Sequence, residues 1–317
     1  MNRREFLQYS AAAAALTATR HASGLDKRSP EIAFTFDDPK TEGDAGLPWR
    51  EVNDRMLSTL AKQNVKAILF VCGKRVDSAA GADLISEWDR AGHLIGNHSY
   101  SHLNFNDSPD ASNANGVTLS QFETDALKNE PLIRGCRNFR RLFRYPFFKE
   151  GDTTEKRDGM RSFLQEHGYR IGRATIDASD WAIDARMAKK ANTAHADLTG
   201  YRDFYLEHIW QRAQYYDSLA SRLMPSPIRH TVLLHHNALN ALFLGDLITM
   251  FRNKGWTIVD AEYAYQDAIY DRQPKALPAG ESLIWALAKE SGRFEKELRY
   301  PGEDDVYENP RMDALKL

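Results

Sequence analysis

Cysteine is scarce: Cys72 and Cys136 are the two in 317 residues. Two thiols can build neither a disulfide framework nor a cysteine-rich zinc site, and each reads as a small buried hydrophobe. A basic excess is missing as well. Lys and Arg number 42 against 44 Asp and Glu, for a net charge of −2. Nothing is therefore available to neutralise a phosphate backbone, which argues against a nucleic-acid partner. Beyond the N-terminus no apolar run reaches the roughly 20 residues that a membrane-spanning helix needs. Internal repeats are absent, and so are low-complexity segments after the first residues.

What is present is ordinary globular composition, 42% hydrophobic and 27% charged, with length enough for a large core. The first residues read as an address rather than as structure. Asn2-Arg3-Arg4-Glu5-Phe6-Leu7 sets paired arginines before a weak apolar stretch from Ser10 to Ala18, with small residues at Ala22-Ser23. That pattern predicts a signal peptide over 1–23. Paired arginines before Phe-Leu resemble the bacterial twin-arginine signal. The expectation is a precursor handled by the twin-arginine export machinery and a mature chain that is periplasmic or secreted. The other reading is an amphipathic N-terminal helix.

From residue 30 onward, β-rich apolar runs alternate with helical spacing. Strands are predicted over 31–38, 66–73, 93–97, 141–147, 169–177, 230–235 and 256–260. Helices are predicted between them, including 82–91, 155–168, 199–223, 241–254, 263–270 and one from Thr118 toward Arg134 that Pro131 bends or ends. Such alternation implies a parallel sheet with helices outside, either doubly wound or barrel-shaped. The polar residues favour the barrel. Asp37, Asp38, His98, Arg144, Asp177 and His235 each stand at the C-terminal end of a predicted strand, and in a β/α barrel those ends form one mouth. The expected fold is α/β, a distorted (β/α) barrel of about seven parallel strands with outer helices, over 30–272. Residues 273–317 are expected to add one helix, 282–298, and an extended tail.

The stretch Asn97-His98-Ser99-Tyr100-Ser101-His102-Leu103 carries the clearest chemical signal. Two histidines four apart share a face if the stretch is a helical turn, and neutral imidazoles suit Zn²⁺ and its neighbours. A plain structural pair is the alternative unless a third ligand is at hand.

Four further motifs accompany this one in order along the chain. Thr35-Phe36-Asp37-Asp38 precedes His98-Ser99-Tyr100-Ser101-His102. Arg144-Tyr145-Pro146-Phe147, Asp177-Ala178-Ser179-Asp180-Trp181 and Leu233-Leu234-His235 follow. Together they resemble the polysaccharide deacetylases of the NodB-homology type, carbohydrate esterase family 4, over roughly Ile32 to Ala264. The resemblance implies a divalent metal held by Asp38, His98 and His102, Zn²⁺ first and Co²⁺ or another ion second. Two imidazoles and a carboxylate leave a coordination position open, as a catalytic zinc site requires. By resemblance Asp37 is the general base and His235 the general acid. His236 is the competitor of His235, and the register of the last motif favours His235. Either Asp177 or Asp180 supports His235, Arg144 holds Asp37, and the Phe147 N–H helps to bind the oxyanion. Tyr145 and Trp181 offer ring faces to a sugar, or else pack in the core. Phe148 departs from the family pattern, where glycine is common, and is expected to reshape the groove wall.

The function so implied is hydrolytic removal of N- or O-linked acetyl groups from an acetylated polysaccharide or oligosaccharide, releasing acetate. Two alternatives stand beside it. One is hydrolysis of a small cyclic amide on the same barrel, favoured if 182–229 forms a lid rather than an outer helix. The other is a glycan-binding protein without catalysis, which the intact Asp37, Asp38 and His235 disfavour.

Overall fold

The computed structural model describes residues 29–107, 116–191, 197–299 and 305–317; the signal predicted over 1–23 lies outside them. Seven strands form the main sheet: β1 (Glu31–Asp37), β2 (Ile68–Val71), β3 (Leu94–Asn97), β4 (Phe139–Phe143), β5 (Arg170–Ile171), β6 (Arg229–His235) and β7 (Thr257–Ile258). Their order is β5-β4-β3-β2-β1-β6, with β7 paired to the start of β1, and every pairing is parallel. The central strands read Ile-Ala-Phe-Thr-Phe, Ile-Leu-Phe-Val and Val-Leu-Leu because both of their faces are covered. Past β5 the chain crosses to the other edge, where Ile176 bridges Val232 of β6. The sheet thus curls until its two edges meet, a distorted barrel with helices outside.

Those helices are α1 (Trp49–Lys62), α2 (Ala79–Arg90), α3 (Leu119–Lys128), α4 (Thr154–Glu166), α5 (Asp180–Ala191), α6 (Thr199–Leu223), α7 (Ala238–Asn253) and α8 (Leu283–Glu290). Local sequence starts several of them. The Thr118 side chain caps α3 and Gln121 reaches back to complete a capping box. Asn237 caps α7. Pro131 stands in the first turn of a separate short helix, Glu130–Ile133, so α3 stops before it. Helix α6 turns Tyr201, Phe204, Tyr205 and Tyr216 into the core, which accounts for the aromatics of that segment as an outer helix. Among the described residues no helix is long and apolar enough to cross a membrane.

Three expectations need correction. The fifth strand ends at Ile171 rather than near Asp177, because Gly172 gives β4 its last bond (Gly172 N to Phe143 O, 2.7 Å) before the chain changes partner. The helix predicted to reach Leu298 ends at Glu290. The segment read as an extended tail contains a helix, Glu308–Ala314, with Glu308 and Met312 buried and Glu308 paired to Arg212 of α6 at 3.2 Å. Residues 279–280 also pair with 149–151, so the C-terminal region is built onto the barrel.

Inside the barrel, Gly96 of β3 and Gly172 both lie against the Phe70 ring. A Cβ at Gly96 would stand 2.6 Å from that ring. Gly96→Ala is expected to destabilise the fold by about 1–3 kcal/mol, the usual cost of overpacking, read as a lower urea midpoint with an unchanged slope.

Candidate functional site

Register gathers the site. Asp37, the last residue of β1, is paired with His235, the last of β6. Asp38 follows with φ of 57°, a left-handed conformation unusual for a residue with a side chain. His98 follows the end of β3 and Arg144 the end of β4. Four of the five adjacent strands β4-β3-β2-β1-β6 therefore deliver their polar residues to one rim.

The histidine pair converges, but not from a helix. Residues 98–104 form an irregular loop in which Ser99 and His102 have φ of 61° and 58°. The amides that a helix would use are taken by side chains. Asn97 Oδ1 accepts from Ser99 N at 2.9 Å, and Asp125 Oδ2 accepts from Tyr100 N at 3.1 Å and Ser101 N at 2.9 Å. Such local side-chain bonds compete with helix formation.

Asp38, His98 and His102 present ligand atoms that all lie within 4.8 Å of one another. His98 Nδ1 bonds the Arg144 carbonyl at 2.8 Å, so it carries the proton and leaves the Nε2 lone pair for an ion. Burial pushes the His98 imidazole down to about 4 against the pull of Asp37 and Asp38, so it is neutral at pH 7. Burial alone would raise the Asp38 carboxyl, yet His102, His98 and Arg75 hold it far below the usual carboxylate range. One oxygen of Asp38, Oδ1, is buried without a hydrogen-bond partner; Arg75 Nε approaches it at 3.2 Å without hydrogen-bond alignment. A neutral imidazole, an ionised carboxylate and an orphaned oxygen fit a divalent cation.

Asp37 stays beside this set. Arg144 Nη1 donates to Asp37 Oδ1 at 2.7 Å, and His98 Nε2 lies 3.6 Å from Asp37 Oδ2. The guanidinium is buried and fixed on all sides: Nη1 also donates to Thr35 Oγ1 at 2.8 Å, Nη2 to Tyr265 Oη at 2.9 Å, and Nε to the Gly172 carbonyl at 2.8 Å. The Phe70 ring covers it at 4.0 Å.

Across the cavity, His235 Nδ1 donates to Asp180 Oδ1 at 2.7 Å. The other oxygen of Asp180 accepts from His235 N, Asn237 Nδ2 and Asn240 Nδ2 at 2.8–3.1 Å. Asp180 is thus the carboxylate bonded to His235; Asp177 lines the same cavity. Burial opposes charge on His235, but Asp180, with Asp37 and Asp38 farther off, pushes the imidazole up to about 9. His236 is buried against Asn53 (3.2 Å) and pushed down to about 4 by burial.

The cavity between these groups holds about 340 Å³. Phe147 stands at its rim, 44% exposed, with its ring 4.4 Å from that of His102; Trp181 lines the wall. Tyr145 borders the cavity from within the core and offers it no open face. It is 2% exposed and stacked with Phe105 and Phe122. Lys40, Arg75, Asp184 and Phe148 line the cavity as well, and the sequence motifs did not single out the first three. For Asp184 a signal existed: it lies one helical turn after Asp180 on α5, a helix that the strand-helix pattern passed over.

Residues 24–172 match the Polysaccharide deacetylase family. A peptidoglycan-N-acetylglucosamine deacetylase of Bacillus cereus is 25% identical over 48% of this chain and 46% of its own. A chitin deacetylase of Arthroderma benhamiae is 28% identical over 47% of this chain and 35% of its own. The chain therefore spans half or less of the length of these two relatives. Among solved structures, a mutant of a CE4 family pseudoenzyme of Bacillus anthracis shares the fold with a TM-score of 0.51, at 18% identity over 75% of this chain and 67% of that one. A peptidoglycan N-acetylglucosamine deacetylase shares it with a TM-score of 0.50, at 19% identity over 75% and 89% of the two chains. The family match spans residues 24–172, the stretch that carries Asp37, Asp38, both histidines of the pair and Arg144, and over that stretch the chain is similar to the polysaccharide deacetylases.

Proposed function

We propose that this protein is a hydrolase that removes acetyl groups from an acetylated carbohydrate, with a divalent cation, Zn²⁺ first, held by Asp38, His98 and His102. The observation that carries this reading is the convergence in one cavity of that ligand set, the Arg144-held Asp37 and the Asp180-held His235. When bound, the cation supplies a Lewis acid for the acyl oxygen and makes water a better nucleophile at neutral pH. Asp37 takes the proton of the attacking water at Oδ2, because Arg144 occupies Oδ1. The oxygen of water bonds to the acyl carbon. The Phe147 N–H donates to the oxyanion as it forms. His235 is held through Nδ1 and gives the proton at Nε2 to the leaving nitrogen or oxygen. The bond from the acyl carbon to that atom breaks, and acetate and the deacetylated sugar leave. Phe147 at the rim and Trp181 on the wall give the sugar apolar surface.

The paired arginines at Arg3-Arg4 support export by the twin-arginine route, which would set this chemistry to work on material outside the cytoplasm. The test is acetate release by the chain from residue 24 onward, stripped of metal and reloaded with Zn²⁺. An N-acetylglucosamine oligomer, acetylated xylan and peptidoglycan are offered in parallel. Zinc-dependent release from one of them is expected, and the preferred polymer names the substrate. Bound zinc with no release from any of the three would turn the assignment toward a small amide.

A further inference from the structure

Nine non-glycine residues among those described have left-handed backbone, and four of them, Asp38, His102, Phe147 and Phe148, line the one cavity. Asp38 and His102 belong to the ligand set. Phe147 and Phe148 do not, yet both have φ of 55°. Two adjacent bulky residues in this conformation oppose the local steric preference, and such departures persist where a site needs them. They occupy different depths. Phe147 stands at the rim, 44% exposed, while Phe148 is 7% exposed and clusters with Leu233 and Ala174. Leu233 precedes His235 by two on β6, so it shares the face of His235 and lies one step deeper. Arg144 lies 5.7 Å from the Phe148 ring. Phe148 and Leu233 thus make an apolar floor beneath the charged strand ends.

The floor is fixed from behind. Phe148 N donates to the Tyr145 carbonyl at 3.1 Å, and the Phe148 carbonyl accepts from Glu281 N at 3.0 Å. Lys149 pairs with Glu281 at 2.8 Å. Gly280 lies so close that a Cβ there would meet the Phe148 carbonyl oxygen at 1.8 Å. The ring has little room to withdraw.

A polymer of several sugars exceeds a cavity of about 340 Å³ and has to run on past its mouth. What reaches the floor is the small end of the substrate, its acyl group. Resting on the deacetylase reading above, the geometry points to Phe148 as the residue that sets acyl size: its ring fills the floor, so that acetyl fits beneath the reacting carbon and longer acyl chains meet the ring. Phe147, at the rim, touches the sugar instead.

The experiment compares kcat/KM for 4-nitrophenyl acetate and 4-nitrophenyl butyrate, which differ in the acyl group alone. It uses the zinc-loaded protein, Phe148→Gly and Phe148→Leu. Glycine accepts φ of 55° without strain, so Phe148→Gly is expected to fold, checked by a cooperative thermal melt. Wild type is expected to prefer acetate by at least about tenfold, the discrimination that extra methylenes bring in a closed apolar pocket. Phe148→Gly is expected to lose most of that preference through faster butyrate turnover, with Phe148→Leu between the two. If wild type hydrolyses both esters equally, or if Phe148→Gly keeps the wild-type ratio, the size-setting role is overturned while the hydrolase reading stands. Zinc-loaded wild type that hydrolyses neither ester and releases no acetate from the three polymers overturns the deacetylase reading, and this inference with it.

Discussion

Asp37→Asn is expected to lower kcat about 10²–10⁴-fold, the range for a lost general base, while zinc affinity stays near that of wild type. The two carboxylates of the motif are adjacent in sequence and separate in space. Asp38 presents an oxygen beside the ring nitrogens of His98 and His102, all within 4.8 Å of one another, whereas Asp37 is tied to Arg144 at 2.7 Å. Asparagine keeps the shape of Asp37 and an oxygen that can accept from Arg144, but it cannot take a proton. It also leaves the buried Arg144 guanidinium without its counter-charge, so a lower melting temperature is expected alongside the lost turnover. Measuring bound zinc and kcat together separates the roles. His98→Ala, which removes a ligand and leaves no group to replace it, is expected to lose both metal and activity. If Asp37→Asn loses the metal as well, Asp37 is a ligand, and the division between base and ligand set fails.

Much of this arrangement is legible from residue order because of register. A parallel strand ends where its polar residue begins, so Asp37, His98, Arg144 and His235 could be placed at one mouth from the strand pattern alone. What the pattern missed has physical causes. Spacing suggested that His98 and His102 share a helix, but it is blind to Asp125 and Asn97, whose side chains take the amides and hold the loop open. Which carboxylate serves His235 depends on where α5 starts. The helix begins at Asp180, so that carboxylate sits inside its first turn and collects His235, Asn237 and Asn240. Tyr145 could not be assigned to wall or core, because that is decided by Phe105 and Phe122, distant in sequence. The role of the C-terminal residues was invisible for the same reason. Glu281 and Gly280 act by backing Phe148, a contact that joins positions more than a hundred residues apart.

The alkaline side of the pH profile is expected to report His235. Its charged form is the one that gives a proton, and its surroundings push the imidazole up to about 9. Because the shift is upward, the acid is intact below that value and is lost as pH rises through it. A bound cation offsets the pull of Asp37 and Asp38, so the limb of kcat/KM falls at or below about 9. Asp180→Asn removes the nearest negative charge and leaves a weaker acceptor at Nδ1. Burial then acts with less opposition, and the limb is expected to move down toward the ordinary histidine value of 6.5. His235→Ala is expected to lower the rate about 10²–10⁴-fold across the profile and to abolish that limb, because no acid remains to titrate. A profile that Asp180→Asn leaves in place would mean that another group gives the proton. His236 is a poor substitute, since it is buried against Asn53 and held down to about 4, and so carries no proton to give at neutral pH.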